Sequence, residues 1–254
     1  MRVAATDYDG TLCMQRRVPP EALEAIAVWR NMGNMFGIVT GRDLSMLLPE
    51  VRQWGIPFDY LICCSGAVSY DKDLRPLDTV SIEDGLIAPV LRHPSSLASM
   101  HYELCAHGEV RLFLRDEASW FPKLGTPYTP VTLDEAMAQT GLQQISIAYH
   151  SLEDGAAHAA DLDKAFGDAL WVHHNGSCVD ITAGNVSKAT GMDRLLRRMG
   201  WPREGLLFIG DGENDIPMIR EYAGFTVPGA PEAVRREAAA VYAGVGPMLR
   251  DAMG

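Results

Sequence analysis

Cysteine, basic charge and long apolar runs are all scarce in this 254-residue chain. Its five cysteines, Cys13, Cys63, Cys64, Cys105 and Cys178, are odd in number, form no CxxC pair and stand near no histidine at a zinc-like spacing. That argues against a disulfide framework and against a thiolate zinc site, and it fits a reducing compartment. Cys63 and Cys64 follow Leu61-Ile62 and read as small core residues at a strand end. No segment approaches the length of a membrane span, and Asp7 and Asp9 occupy the stretch that a signal peptide would keep apolar, so the expected location is the cytoplasm. Lys and Arg number 22 against 33 Asp and Glu, a formal charge of -11. Such a surface repels phosphate backbones and anionic lipid, so neither nucleic acid nor membrane is an expected partner. A small anionic substrate would need cations supplied locally. The chain also lacks internal repeats and low-complexity linkers.

What is present is a recurring strand-turn-helix grammar. Apolar runs at Val3 to Thr6, Met35 to Val39 and Tyr60 to Cys64 read as buried parallel strands. Pro19-Pro20-Glu21 opens a helix that Gly33 closes, and Leu44 to Trp54 forms the next one before Gly55. The pattern is βαβαβ with right-handed crossovers. It returns at Leu206 to Ile209, followed by an apolar helix through Ile216, Met218 and Ile219, with further strands at Gly224 to Val227 and Ala240 to Tyr242. Between Thr79 and Thr182 the texture changes to longer helices, Ile82 to Cys105 and Leu152 to Phe166, and to alternating strands at Val110 to Leu114, Gln144 to Tyr149 and Cys178 to Thr182. Alternation of that kind suits an antiparallel sheet covered by helices on one face. The expected fold is therefore α/β, a doubly wound, mainly parallel Rossmann-like core over residues 1–78 and 184–254, with an inserted α+β cap domain over 79–183.

Four short segments at predicted strand ends or helix starts carry the candidate chemistry, and in a parallel sheet the strand carboxyl ends share one edge. Asp7-Tyr8-Asp9-Gly10-Thr11 places two carboxylates at i and i+2, on one side of an extended chain. Close carboxylates stay ionised only around a cation, and otherwise one of them keeps a proton. The first state makes a nucleophile and the second a general acid, although Asp, Gly and Thr are also ordinary turn residues. Thr40-Gly41-Arg42 offers a hydroxyl and backbone N–H groups for phosphate oxygens, yet Thr-Gly is equally a helix cap. Lys188 falls in the first turn of a helix, where the dipole disfavours a cation, so it is either a solvated surface lysine or the partner of an anion. Gly210-Asp211-Gly212-Glu213-Asn214-Asp215 concentrates three acids behind a buried strand, and oxygen-only donors there point to Mg²⁺.

Taken in order, DxDGT, TGR, Lys and GDGxND resemble the motifs of the haloacid dehalogenase superfamily, and the position of the insert resembles its capped, Cof-type branch. The resemblance covers the whole chain. It implies a Mg²⁺-dependent phosphatase acting on a small phosphorylated metabolite, such as a sugar phosphate or a phosphorylated cofactor, through an aspartyl-phosphate intermediate. Asp7 would attack phosphorus, and Asp9 would serve as acid and then base. The Asp7 carboxylate, the Asp9 backbone carbonyl and Asp211 would hold the metal, supported by Asn214 and Asp215. Thr40, the Gly41 N–H and Lys188 would neutralise the phosphoryl group, with Arg42 as a helper.

The chain departs from the family pattern at Ser65-Gly66-Ala67 in place of Asn-Gly-Ala, at Ala189 and Asn185 in place of Gly, and at Asp180 in place of Glu. These changes bear on substrate more than on chemistry. His173, His174 and Asn175 lie near the return to the core, where the family's substrate loops make them candidates, but lone histidines are more often satisfied structural residues and none is assigned a role. Trp120-Phe121 with Tyr128 reads as packing within the insert. Other readings are a phosphomutase or phosphotransferase on the same site, and a non-hydrolytic phospho-receiver module. Receiver modules are single small domains without the second carboxylate at i+2. A dinucleotide-binding oxidoreductase fits poorly, because Gly210-Asp211-Gly212 lacks the third glycine and puts an acid where pyrophosphate would sit.

Overall fold

The computed structural model describes residues 1–254 and contains two sheets. The larger has eight strands in the order β14-β13-β12-β1-β2-β3-β4-β5. These are β1 (Val3–Thr6), β2 (Met35–Val39), β3 (Tyr60–Cys63), β4 (Val68–Asp71), β5 (Pro76–Thr79), β12 (Leu207–Ile209), β13 (Phe225–Thr226) and β14 (Ala240–Val241). All pairs from β14 to β3 are parallel, and a hairpin of β4 and β5 adds an antiparallel edge. Helices α1 (Pro20–Asn31), α2 (Leu44–Trp54), α7 (Lys188–Met199), α8 (Ile216–Tyr222), α9 (Glu232–Glu237) and α10 (Val245–Met253) accompany it. Both faces are covered, which is why β1 to β3 read as continuous apolar runs rather than as alternating ones.

The second sheet has six strands in the order β10-β11-β9-β6-β7-β8, comprising β6 (His101–Ala106), β7 (Glu109–Leu114), β8 (Thr129–Pro130), β9 (Gln144–Ala148), β10 (Leu170–Asn175) and β11 (Cys178–Ala183). Helices α3 (Asp84–Arg92), α4 (Pro94–Leu97), α5 (Leu133–Met137) and α6 (Leu152–Phe166) belong to the same part of the chain. Tyr102, Leu104, Ile145, Ile147, Val179 and Ile181 share a 17-residue apolar cluster with Ile87, Leu91 and Leu162 of α3 and α6. The intervening residues, Glu103, Gln144, Ser146, Asp180 and Thr182, point to the opposite face by the two-residue period of a strand. That polar face meets the carboxyl edge of the larger sheet. The contact is direct, because Gln144 Nε2 donates to the Gly41 carbonyl at 3.0 Å.

One expected element is overturned. The run from Ile82 to Cys105 is not one helix but α3, α4 and strand β6. His93 precedes Pro94 and adopts an extended conformation, φ -60° and ψ 141°, because the proline ring disfavours a helical residue before it. The chain then restarts for a single short helix and continues into β6, which is central in its sheet with β7 and β9 as neighbours. Trp120 and Phe121 pack around His101, with ring centroids 5.1 and 5.7 Å from it. No helix is long and apolar enough to cross a membrane.

Candidate active site

β1 lies between β12 and β2, and the connection from β1 to β2 runs opposite to that from β12 to β13, so the loops after β1, β2 and β12 open onto one crevice. Asp7 follows β1, Thr40 follows β2 and Asp211 lies just beyond β12. The fourth participant, Lys188, is the first residue of α7, whose entry is set by a reciprocal capping box between Ser187 and Thr190.

Lys188 is only 1 % exposed. Its Nζ donates to Asp7 Oδ1 at 2.7 Å and to Asp215 Oδ1 at 2.6 Å. A buried ammonium at a helix N-terminus is thereby accounted for by two anions. The second oxygen of Asp215 accepts from the backbone N–H groups of Asp211 and Gly212, at 3.0 and 2.9 Å. Asp211 Oδ1 accepts from the Thr11 hydroxyl at 2.6 Å. Ligand oxygens of Asp7, Asp211 and Asp215 all lie within 4.8 Å of one another. Three carboxylates around one ammonium leave the pocket with excess negative charge.

Burial pushes the Asp7 carboxyl well above the ordinary carboxylate range; Lys188 pulls it down, and Asp215 and Asp211 push it up again. Asp211 is raised as well, first by burial and against the Thr11 hydrogen bond. For Lys188 burial works against the charge, yet Asp215 and Asp7 together outweigh it and hold the ammonium above its usual range. The donor set fits a hard divalent cation: oxygen ligands only, no thiol or imidazole among them, and more carboxylates than the lysine can neutralise. Gly10 provides the room. At φ +77° it takes a left-handed turn, and a Cβ there would lie 2.2 Å from Asp211 Oδ2.

Asp9 stands apart from the cluster. Its side chain is 57 % exposed and is gripped by Arg42, Nε to Oδ2 and Nη2 to Oδ1, both at 2.7 Å. Tyr8, between the two acids, is buried and turned away. Thr40 is buried, its Oγ1 accepting from the Arg42 N–H at 3.1 Å. At Gly41 a Cβ would stand 3.4 Å from Ser65 Oγ, 3.7 Å from Asp180 Oδ2 and 4.0 Å from Asn214 Nδ2, so four segments converge on one peptide.

Above Lys188 a narrow cleft is lined by Ser65, Trp171, His173, Asp180, Thr182 and Asn214, among others, and encloses about 10 Å³, the space of a single water. Ser65 adopts a left-handed φ of 53°, and its buried hydroxyl has no hydrogen-bond partner. His173, to which the sequence assigned no role, faces this cleft. Burial holds its imidazole below the usual range. Asp180 Oδ1 accepts from Ser146, and its Oδ2 accepts from Asn175 Nδ2 at 3.0 Å. Glu50 and Gln144 also reach the site's loops and carry no sequence signal. Each depends on a pairing between distant segments that no local pattern announces.

The profile of the haloacid dehalogenase-like hydrolases matches residues 4–243. This chain belongs to that family. Pyridoxal phosphate phosphatase YbhA of Escherichia coli is 27 % identical over 93 % of this chain and 91 % of its own length. A phosphoglycolate phosphatase of Pyrobaculum aerophilum is 23 % identical over 96 % and 90 %. Among solved structures, a HAD/COF-like hydrolase of Plasmodium vivax superposes with a TM-score of 0.87 at 19 % identity, over 100 % of this chain and 95 % of that one. The subclass IIB sugar phosphatase BT4131 gives 0.82 at 20 % identity, over 100 % and 98 %. The α/β fold of this hydrolase is thus that of its family.

Proposed function

We propose that this hydrolase is a Mg²⁺-dependent phosphatase of a small phosphomonoester, a sugar phosphate or a phosphorylated cofactor such as pyridoxal phosphate. The observation that carries the reading is the buried Lys188 ammonium held between Asp7 and Asp215 beside Asp211. That arrangement sets an ammonium against the effect of burial on the desolvated Asp7 carboxyl and places a fixed cation where phosphoryl oxygens would arrive. Phosphoryl transfer calls for little else, being mainly a matter of positioning and charge neutralisation.

In the first half-reaction an Asp7 oxygen attacks phosphorus, the P–O bond to the ester oxygen breaks, and the Asp9 carboxyl passes its proton to that oxygen. In the second, water attacks the phosphorus, Asp9 takes the proton, and Asp7 is regenerated as inorganic phosphate departs. Thr40, the Gly41 N–H and Lys188 neutralise the transferring group throughout. When bound at the Asp7 and Asp211 carboxylates and the Asp9 backbone carbonyl, Mg²⁺ supplies further charge neutralisation. Asn214 and Asp215 orient these partners. Residues 1–78 and 184–254 carry the chemistry, and residues 79–183 serve as a cap that excludes water and reads the leaving group. The relatives named for phosphatase activity support the reaction class, and their different substrates leave the choice among phosphoesters to the cap.

The test is a panel of phosphorylated metabolites incubated with purified protein and Mg²⁺, scored by released phosphate. Turnover of at least one sugar phosphate or pyridoxal phosphate that is lost in Asp7→Asn is expected. A panel without phosphate release, or full activity in Asp7→Asn, refutes the reading. Adding an acceptor alcohol distinguishes release to water from transfer.

A further inference from the structure

Arg42 has one positive charge and divides it between two carboxylates. Two of its nitrogens grip Asp9, and the third, Nη1, donates to Glu50 Oε1 at 2.7 Å. Glu50 is fixed from its other side by the Tyr8 hydroxyl, 2.7 Å from Oε2. The Arg42 guanidinium also lies over the Tyr8 ring, 5.0 Å from its centroid. Tyr8 is the residue between Asp7 and Asp9, so this circuit closes on the loop that bears both acids. Glu50 is on α2 and, Arg42 apart, bonds to none of the groups assigned to the phosphoryl transfer itself.

A fork-to-fork arginine pair occupies both oxygens of its carboxylate. An Asp9 so held has to leave the fork before it can deliver a proton to a leaving oxygen. Glu50 competes for the same delocalised charge, and Tyr8 keeps it in place to do so. We propose that Glu50 is a positioning residue for the reaction: by engaging the third donor of Arg42, it sets how firmly Asp9 is held and how readily its carboxyl turns onto the leaving group. The inference rests on the reading of Asp9 as the proton shuttle.

Leaving-group dependence tests it, because an alkoxide departs only with a proton whereas 4-nitrophenolate departs readily without one. The protein with saturating Mg²⁺ is assayed on glycerol phosphate and 4-nitrophenyl phosphate, and the ratio of the two kcat/KM values, which covers the first half-reaction alone, is compared among wild type, Asp9→Asn and Glu50→Gln. The ratio is taken within one preparation, so it is insensitive to the fraction folded. Glu50→Gln retains shape and one acceptor oxygen for Arg42 while removing the charge. It is expected to lower the alkyl-to-aryl ratio by about tenfold, and Asp9→Asn by about a hundredfold or more, in keeping with the scale of general acid catalysis. A selective loss in Asp9→Asn with an unchanged ratio in Glu50→Gln overturns the role of Glu50 and leaves the proton-shuttle reading standing. Equal slowing of both substrates in Glu50→Gln overturns it too, since that marks a structural role. An unchanged ratio in Asp9→Asn removes the shuttle reading, and the Glu50 proposal falls with it.

Discussion

Replacing Lys188 with Met isolates the charge at the centre of the site, because methionine keeps most of the unbranched stem and removes the ammonium. The variant retains Asp7, Asp211 and Asp215 with ligand oxygens within 4.8 Å, two of them having lost a partner at 2.6 to 2.7 Å. A pair of like charges about 4 Å apart repels by roughly 4 kcal/mol at an effective dielectric constant of about 20. Breaking a buried ion pair from one side costs about 3 to 5 kcal/mol. Both figures point to a loss of about 4 kcal/mol near neutral pH, a fall in Tm of roughly 10 °C for a chain of this size. The pH dependence supplies the sharper test. The Asp7 carboxyl already binds its proton more tightly when folded, and without Lys188 the attraction that opposes burial is gone. A raised carboxyl contributes stability that is fully present below its unfolded value of about 3.9 and is lost as pH rises through its folded value. The deficit of the variant therefore shrinks on acidification between pH 7.5 and pH 5. Urea unfolding in EDTA at both pH values measures this. Unimpaired stability at pH 7.5 refutes the charge argument. A deficit of the same size at both pH values also refutes it, assigning the loss to packing around the stem.

Three further outcomes are expected. Asp7→Asn, which keeps the side-chain shape, lowers phosphate release by about a thousandfold or more while the far-ultraviolet dichroism stays that of wild type. Gly10→Ala forces both an unfavourable left-handed alanine and a Cβ against Asp211. It raises the Mg²⁺ concentration for half-maximal turnover by about ten- to a hundredfold, read from a metal titration, and an unchanged titration would show that Asp211 does not depend on that turn. Chelation by EDTA abolishes turnover, excess Mg²⁺ restores it, and the folded protein gains thermal stability on adding the ion, since a ligand that binds only the native state stabilises it.

The strands and helices that position the site were readable because their signals are local. Val3–Thr6 and Met35–Val39 are unbroken apolar runs buried on both faces, and Leu44–Trp54 is bracketed by an aspartate cap and a left-handed glycine. The placing of Asp7, Thr40 and Asp211 along one edge followed from the geometry of a parallel sheet, whose carboxyl ends share an edge, whereas Lys188 arrives at the start of α7, after a strand of the other sheet. The segment from Ile82 to Cys105 was misread because apolar residues at helical spacing outweighed Pro94, and because β6 becomes a strand through partners distant in sequence. Whole strands also passed unread: β4 and β5, whose short hairpin sits at the sheet edge, and β10, whose alternation is blurred by Trp171 and His173. The orientation of Asp9 was invisible for a different reason. Alternation along a strand shows which side a residue leaves from, but Arg42 decides where that carboxylate points, and Arg42 is itself steered by Glu50. His173 illustrates the same limit, since a single imidazole acquires meaning only from the strand pairing that sets it opposite Asp180.

The hydrogen bond from Gln144 to the Gly41 carbonyl extends further than a latch between two sheets. The Gly41 carbonyl and the Arg42 N–H belong to one peptide group, and that N–H donates to the Thr40 hydroxyl. A carbonyl that accepts a hydrogen bond polarises its peptide, the N–H becomes a stronger donor, and a hydroxyl that accepts from it becomes a stronger donor in turn. The Gln144 amide, the Gly41–Arg42 peptide and the Thr40 O–H thus form a relay of aligned dipoles. Seating the second sheet thereby strengthens a hydrogen-bond donor that Gln144 itself never touches.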